Sequence, residues 1–567
     1  MKTIKEKLLV ANGFEKADLV LKNGNILNVF TEEIVIADVA IVGTKIVGVG
    51  KYSGIKELDC TGKYIVPGFI DAHMHIESTM VTPLELSKML VVKGTTTIIA
   101  DPHEIVNVKG IEGLDFIISA TEDIPISAYI MVPSSVPATE FDTNGAGEFL
   151  AEHMSKYVNN RRVLGLGEMM CFRDVINGQQ KALDKIQLFH DKIVDGHAPG
   201  INGYAVQAYR LAGVDNDHEC YSFEEALDKL RAGMHIFIRE GSGARNLQAI
   251  VSGFLKAGVP FDQCMFCTDD KHLEDIETEG HINYCIRKAI ELGVPIAKAY
   301  KMASYNTAKV YGLKQYGAIG AGYIADIIIM DNLEKVEPKY VIKNGKFVDA
   351  NFISSFKYEL KDSELLHTVK IQNISESKLK FNRKDKNHVI GMIAHQITTK
   401  HLYETIPGRD GEFIPNKVYS KLCVVERHGK NNLIGIAPIK GFGIENGAIA
   451  TSVSHDSHNI IVAGDNDEDI INAVNHIKHL QGGYAISSEG KIVASLPLPI
   501  GGLMSNLSCN EVKNIMKEML VIARKLGVNP EIDPFITLSF MALPVIPEIR
   551  LTEKGIFDVE KFEFVSR

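Results

Sequence analysis

Residues 67–79 read PGFIDAHMHIEST. An apolar run ends in a His-x-His pair, His73 and His75, flanked by two carboxylates, Asp71 and Glu77. On a strand, side chains alternate in direction, so both histidines face one way and Met74 the other. Two imidazoles at a strand's carboxyl end can grip one divalent ion. Two solvated surface histidines would give the same tripeptide, and the rest of the chain has to decide.

Downstream, strand signals alternate with helical ones. Strands are expected to end near His73, Asp101, Pro133, Glu168, His197, His218, Glu240 and Asp269. Helices are expected over residues 83–93, 145–158, 179–190, 203–213, 222–233 and 246–258. Eight such units over about 200 residues predict an α/β fold, a (β/α)8 TIM barrel. The expected strand ends carry His73/His75, Asp101/His103/Glu104, Glu168, His197, His218/Glu219, Glu240 and Asp269/Asp270. A barrel gathers such ends at one rim, which an open doubly wound sheet does not explain.

Residues 20–27 (VLKNGNIL) and 341–348 (VIKNGKFV) both predict strand pieces about an Asn-Gly turn. They suggest one small β domain built from residues 1–66 and 312–355, on both sides of a barrel at 67–311. The polar stretch 357–386 reads as a linker into an additional C-terminal α+β domain, residues 360–567. There SHDSHN (454–459) sets His455 and His458 three apart, as a second metal site, substrate contacts or a polar loop. Cys264 and Cys267 form a CxxC inside an apolar strand, where they face opposite sides, so two core thiols are expected.

With 567 residues, two to four domains are expected. A net charge of −10 argues against nucleic acid or an anionic membrane as the main partner and favours a small molecule. The eight cysteines are scattered rather than framed for disulfides, which points to a reducing cytoplasm. No signal peptide is read at the start, and no run reaches the ~18 apolar residues of a membrane span.

Imidazole and carboxylate donors without thiolates suit zinc, manganese, iron or similar ions. His73, His75, Glu168, His197, His218 and Asp269 make six ligands, enough for two divalent ions with Glu168 between them. Such a pair holds a hydroxide at neutral pH, the nucleophile, and Asp269 shuttles its proton to the leaving group. The expectation is a metal-dependent hydrolase acting on a C–N bond.

PGFIDAHMHIEST, GTTTIIADPHEI, GLGEMM, DGHAPG, AGVDNDHEC, IREGSGARNL and CTDDKH resemble the amidohydrolase superfamily and, in detail, the bacterial adenine deaminases. The likeness continues in SHDSHNIIVAGD, GGYAISSEGKIVASLPLPIGGLMS and DPFITLSFMALPVIPEIRL, and so covers nearly the whole chain. It implies hydrolysis of adenine to hypoxanthine and ammonia in purine salvage, at a manganese- or iron-type centre, with attack at C6. It also implies that Glu168 stands where many relatives use a carboxylated lysine, with Asp269 or its neighbour Asp270 as the strand-eight ligand. For orienting the base the candidates are Glu77, His103, Glu104, Ser242 and Arg245, His103 foremost, with His455 and His458 from the C-terminal region. Arg239 and Arg245 are equally readable as ion-pair partners. A cyclic amidohydrolase of the dihydroorotase or hydantoinase kind is the alternative. A homo-oligomer, dimer or higher, is expected.

Overall fold

The computed structural model describes residues 2–360, 363–394, 396 and 398–565. Its centre is parallel sheet. Five strands lie side by side in chain order: β1 (Phe69–Met74), β2 (Thr95–Ala100), β3 (Ser127–Val132), β4 (Val163–Met169) and β5 (Ile193–Gly196). Three more follow as β6 (Asn216–Asp217), β7 (His235–Arg239) and β8 (Cys264–Cys267). The five form a parallel half-barrel. The Asp215 amide donates to the Val194 carbonyl at 2.9 Å, between β5 and β6. Past β8, the Asp269 amide donates to His73 O (3.0 Å) and the His75 amide to Asp269 O (3.2 Å), tying the last strand to the first. Every residue of β1, β2 and β8 is buried, as expected of strands covered on both faces.

Helices follow most strands, among them Pro83–Val92, Gln180–Leu188, Tyr204–Leu211, Phe223–Arg231 and Leu247–Ala257. The helix expected over 145–158 is reduced to Ala151–Met154 and a 3-10 turn at Ser155–Tyr157. The chain before it is held elsewhere: the Gly145 amide donates to Asn107 O, and a Cβ at Gly145 would lie 2.1 Å from Val108 O. Two helices, His103–Lys109 and Ile111–Ala120, follow β2 where none was anticipated.

Strands from both sides of this region share one eight-stranded sheet, in which Ile327–Met330 pairs antiparallel with Tyr64–Pro67. Asn344-Gly345 makes the expected hairpin, with Lys343 opposite Lys346. Asn23-Gly24 does not. Residues 17–28 form one strand with a bulge between Leu21 and Gly24, and it pairs with Glu33–Val42 on both sides of the irregularity. The Asp38 carboxylate accepts from the Asn23 amide (2.9 Å), so the extra residues are absorbed as a kink.

A second eight-stranded sheet fills residues 387–497, with helix Asp467–Leu480 packed on it and capped by the Asn466 side chain. The stretch 357–386 is not a free linker. Val369, Ile371 and Leu379 are buried against this sheet and helix, because apolar residues alternate within an otherwise charged run. Lys361 and Asp362 lie outside the described residues. Among the described residues no helix is long and apolar enough to cross a membrane.

Candidate metal centre

His73, His75, Glu168, His197, His218 and Asp269, expected at strand ends, meet, whereas Glu240 pairs with Lys288. His73 and His75 leave the end of β1 with their Nε2 atoms 3.2 Å apart and their rings edge to face. His75 Nδ1 lies 2.8 Å from the Asp101 carbonyl, which can only accept, so the proton sits on Nδ1 and Nε2 keeps its lone pair. That Nε2 faces Asp269 Oδ1 at 2.9 Å and Glu168 Oε1 at 3.3 Å. Burial lowers the His73 pKa to about 3, and a neutral ring is what a cation requires of a ligand.

Glu168, at the end of β4, divides its oxygens. Oε1 lies 3.2 Å from His103 Nδ1, 3.3 Å from His75 Nε2 and 3.9 Å from His73 Nε2. Oε2 lies 2.6 Å from His197 Nδ1 and 3.2 Å from His218 Nε2. Burial alone would raise its pKa, but His197, His103 and His218 outweigh it and hold the carboxyl well below its ordinary value. His218 Nε2 is buried with no hydrogen-bond partner in the protein. Among the described residues, four donor groups here are tight enough for an ion: His73/His75/Asp269, His73/Glu168/His218, His75/His103/Glu168 and His197/His218/Glu219. Clustered imidazole and carboxylate donors of this kind suit a divalent metal.

The supporting contacts were harder to foresee. Asp71 turns away from these donors and accepts from Thr268 Oγ1 (2.6 Å), the Thr268 amide (3.1 Å) and the His73 amide (3.2 Å), so it fixes β1 against β8. Asp101 Oδ2 accepts from the Glu168 amide (2.8 Å). That carboxylate fills the space where Gly167 would carry a Cβ, 2.1 Å away. Arg239, which the sequence left as an ordinary ion-pair partner, lies in the site. Its guanidinium donates to Asp269 Oδ2 (2.6 Å) and pairs with Glu219. Burial opposes ionisation of Asp269, and Arg239, His73 and His75 together outweigh it, holding that carboxyl well below its ordinary pKa.

Of the two adjacent aspartates, Asp269 faces the histidines, whereas Asp270 accepts from Ser78 Oγ. Ser242 and Arg245 are not brought to the cluster. Ser242 Oγ bonds Asp275, and Arg245 pairs with Glu279 (2.7 Å) and Asp275 (3.5 Å). The loop 454–458 is brought there. Asp456 Oδ1 is 3.8 Å from His103 Nε2, and His455 Nδ1 is 3.2 Å from Glu104 Oε1. Glu77 is buried beside Glu104 and accepts from the Ile105 amide; burial, with the Glu104 charge adding to it, raises its pKa to about 7. Cys264 and Cys267 are buried in β8, where desolvation raises both thiols. A cavity of about 720 Å³ lined by Arg161, Lys192 and Arg210 lies at the amino ends of β4 and β5, away from this chemistry.

Histidines and carboxylates converging from the ends of parallel strands define a metal-dependent hydrolase of the amidohydrolase kind. The amidohydrolase family model matches residues 64–348, and the model for the adenine deaminase C-terminal domain matches 396–563. The adenine deaminase of Desulfitobacterium hafniense (strain Y51) is 47% identical over 567 residues, covering 100% of this chain and 99% of its own. That of Clostridium acetobutylicum is 44% identical over 573 residues, covering 100% of each. A crystal structure of an adenine deaminase aligns with a TM-score of 0.46 at 17% identity, over 59% of this chain and 100% of its own. The chain belongs to the amidohydrolase family, among the adenine deaminases.

Proposed function

We propose that this protein hydrolyses adenine to hypoxanthine and ammonia, with two divalent ions, manganese or iron before zinc, held by His73, His75, Glu168, His197, His218 and Asp269. The division of the Glu168 oxygens between two sets of imidazoles carries the reading, because each set leaves a place for one cation. When bound, the metal supplies Lewis acidity that lowers the pKa of a coordinated water towards neutrality. Asp269 is placed to take the proton of the attacking water at one oxygen while Arg239 fixes the other. Delivered to N6, that proton makes ammonia rather than an amide ion the leaving group. Attack at C6 builds charge on N1, and His103, beside Glu168, is the group to hold a proton there. Glu77, Glu104, His455 and His458 bind the base; Ser242 and Arg245 belong to the ion-pair cluster with Asp275 and Glu279.

In this reading the five- and three-stranded parallel sheets form one closed (β/α)8 barrel at 67–311. A small β domain spans 1–66 and 312–355, and an α+β domain spans 360–567. The backbone bonds between Asp269 and His73/His75, and the Asp71–Thr268 contacts, support the closure. The experiment is to incubate metal-loaded protein with adenine and follow ammonia release and the loss of adenine absorbance, with metal analysis of protein purified without added metal. Turnover of a dihydropyrimidine or hydantoin with none of adenine would overturn it.

A further inference from the structure

Beside the six-residue cluster lies a second set of buried polar atoms, most of them on the residues assigned above to binding the base. Glu104, on the first turn of helix His103–Lys109, is 1% exposed. Its Oε1 accepts from Ser78 Oγ (3.3 Å) and faces His455 Nδ1, whose ring stacks on Phe540. Its Oε2 has no hydrogen-bond partner. Neither has His458 Nε2, 3.9 Å away, nor Glu77 Oε2, Ser454 Oγ and Asp456 Oδ2. Buried polar groups are nearly always paired, so such a concentration marks a place made for a ligand.

Two ligand chemistries fit the spacing. The donor atoms of Glu104, His455 and His458 lie within 4.8 Å of one another, close enough for a cation. The tautomer of His458 argues otherwise. Its Nδ1 accepts from the Ser454 amide at 3.2 Å, so the neutral ring carries its proton on Nε2 and offers a donor, not a lone pair. Burial keeps that ring neutral, lowering its pKa well below the ordinary value. What remains is an N–H donor beside a carboxylate acceptor, too far apart at 3.9 Å to satisfy each other. Their complement is a flat edge carrying one acceptor and one N–H.

The edge of adenine farthest from C6 has that pattern, N3 accepting and N9–H donating. The pair stands next to the reacting end: Glu104 follows His103 in the chain, and Asp456 lies 3.8 Å from His103 Nε2. We propose that Glu104 Oε2 accepts the N9–H of the base and that His458 Nε2–H donates to N3. The enzyme thereby selects the free base and rejects N9-substituted purines, nucleosides included. This rests on the deaminase reading and adds its selectivity.

The test uses full-length, metal-loaded protein with adenine, 9-methyladenine and 3-deazaadenine. Wild type should discriminate against each analogue by at least about 100-fold in kcat/KM, because a site built to pair a polar edge rejects its absence strongly. Glu104→Ala, which removes the acceptor, should raise KM for adenine more than it lowers kcat and narrow the gap to 9-methyladenine alone. His458→Ala should narrow the gap to 3-deazaadenine alone. Metal content should not change in either variant. Equal turnover of adenine and 9-methyladenine by wild type would overturn the assignment, as would variants that lower all three substrates by one factor or lose metal. Wild type that releases no ammonia from adenine would overturn the underlying reaction instead.

Discussion

Glu168 and Asp269 show how single side chains divide the work at this centre. Each carboxylate has one oxygen towards His75, while its second oxygen is committed to another partner, His197 for Glu168 and Arg239 for Asp269. His73→Ala removes a donor from two of the ion-sized groups and should cost metal and activity together, read by metal analysis beside ammonia release. Asp269→Asn keeps the shape and an oxygen donor but cannot carry the proton, so it should retain metal and lose about 100-fold or more in turnover. Near-normal turnover in that variant would pass the proton to another group, Asp270 or Glu240. Gly167 yields a third expectation. A methyl group there would meet the Asp101 carboxylate that holds the Glu168 amide, so Gly167→Ala should cost about 1–3 kcal/mol and displace Glu168. An unchanged thermal midpoint with full activity would refute it. That His73, His75, Glu168, His197, His218 and Asp269 would lie together was legible because strand ends share one rim. Arg239 was not, since an arginine on an acidic chain looks the same whether it pairs at the surface or clamps a buried aspartate.

At the scale of elements, most of the eight strands were readable as short apolar runs ending in a polar group; β6, the polar pair Asn216–Asp217, is an exception. Where local sequence misled, tertiary contact had overridden it. The stretch 145–158 has helical composition, yet Thr143 and Gly145 are bound to Glu553, Asn459 and Asn107, and most of the helix is lost. The two Asn-Gly dipeptides diverge for the same reason. Gly345 has φ +77° and its missing Cβ would lie 2.1 Å from the Gly43 carbonyl, so it needs glycine twice over. Gly24 lacks a positive φ, and a methyl group there meets first the tip of the Ile65 side chain, which can rotate. Gly345→Ala should therefore destabilise by more than about 1 kcal/mol, and Gly24→Ala by less than Gly345→Ala. Denaturant unfolding of the two variants orders them, and the reverse order would contradict the backbone account.

At the scale of the molecule, the C-terminal region is fastened to the rim rather than appended to it. One buried cluster runs from Met74, Ile105 and Leu166 into Ile461, Ile486 and Leu503 without a break. Polar ties lie beside it. The Ser505 amide donates to Met80 O (2.8 Å), Lys513 pairs with Glu277, and Asn459 Nδ2 donates to Thr143 O (2.9 Å). No motif announced this, because each partner is an unremarkable residue hundreds of positions from the other. A chain ending at residue 355 would expose that apolar surface and strip His455, Asp456 and His458 from the neighbourhood of His103 and Glu104. It should be insoluble, or soluble and inactive towards adenine. In the intact chain, loss of activity should coincide with the thermal transition that opens the cluster shared by the two regions, since parting them strips the rim of residues 454–458. A soluble, fully active fragment of residues 1–355 would exclude His455 and His458 from the site, and with them the Glu104–His458 edge proposed to read the base.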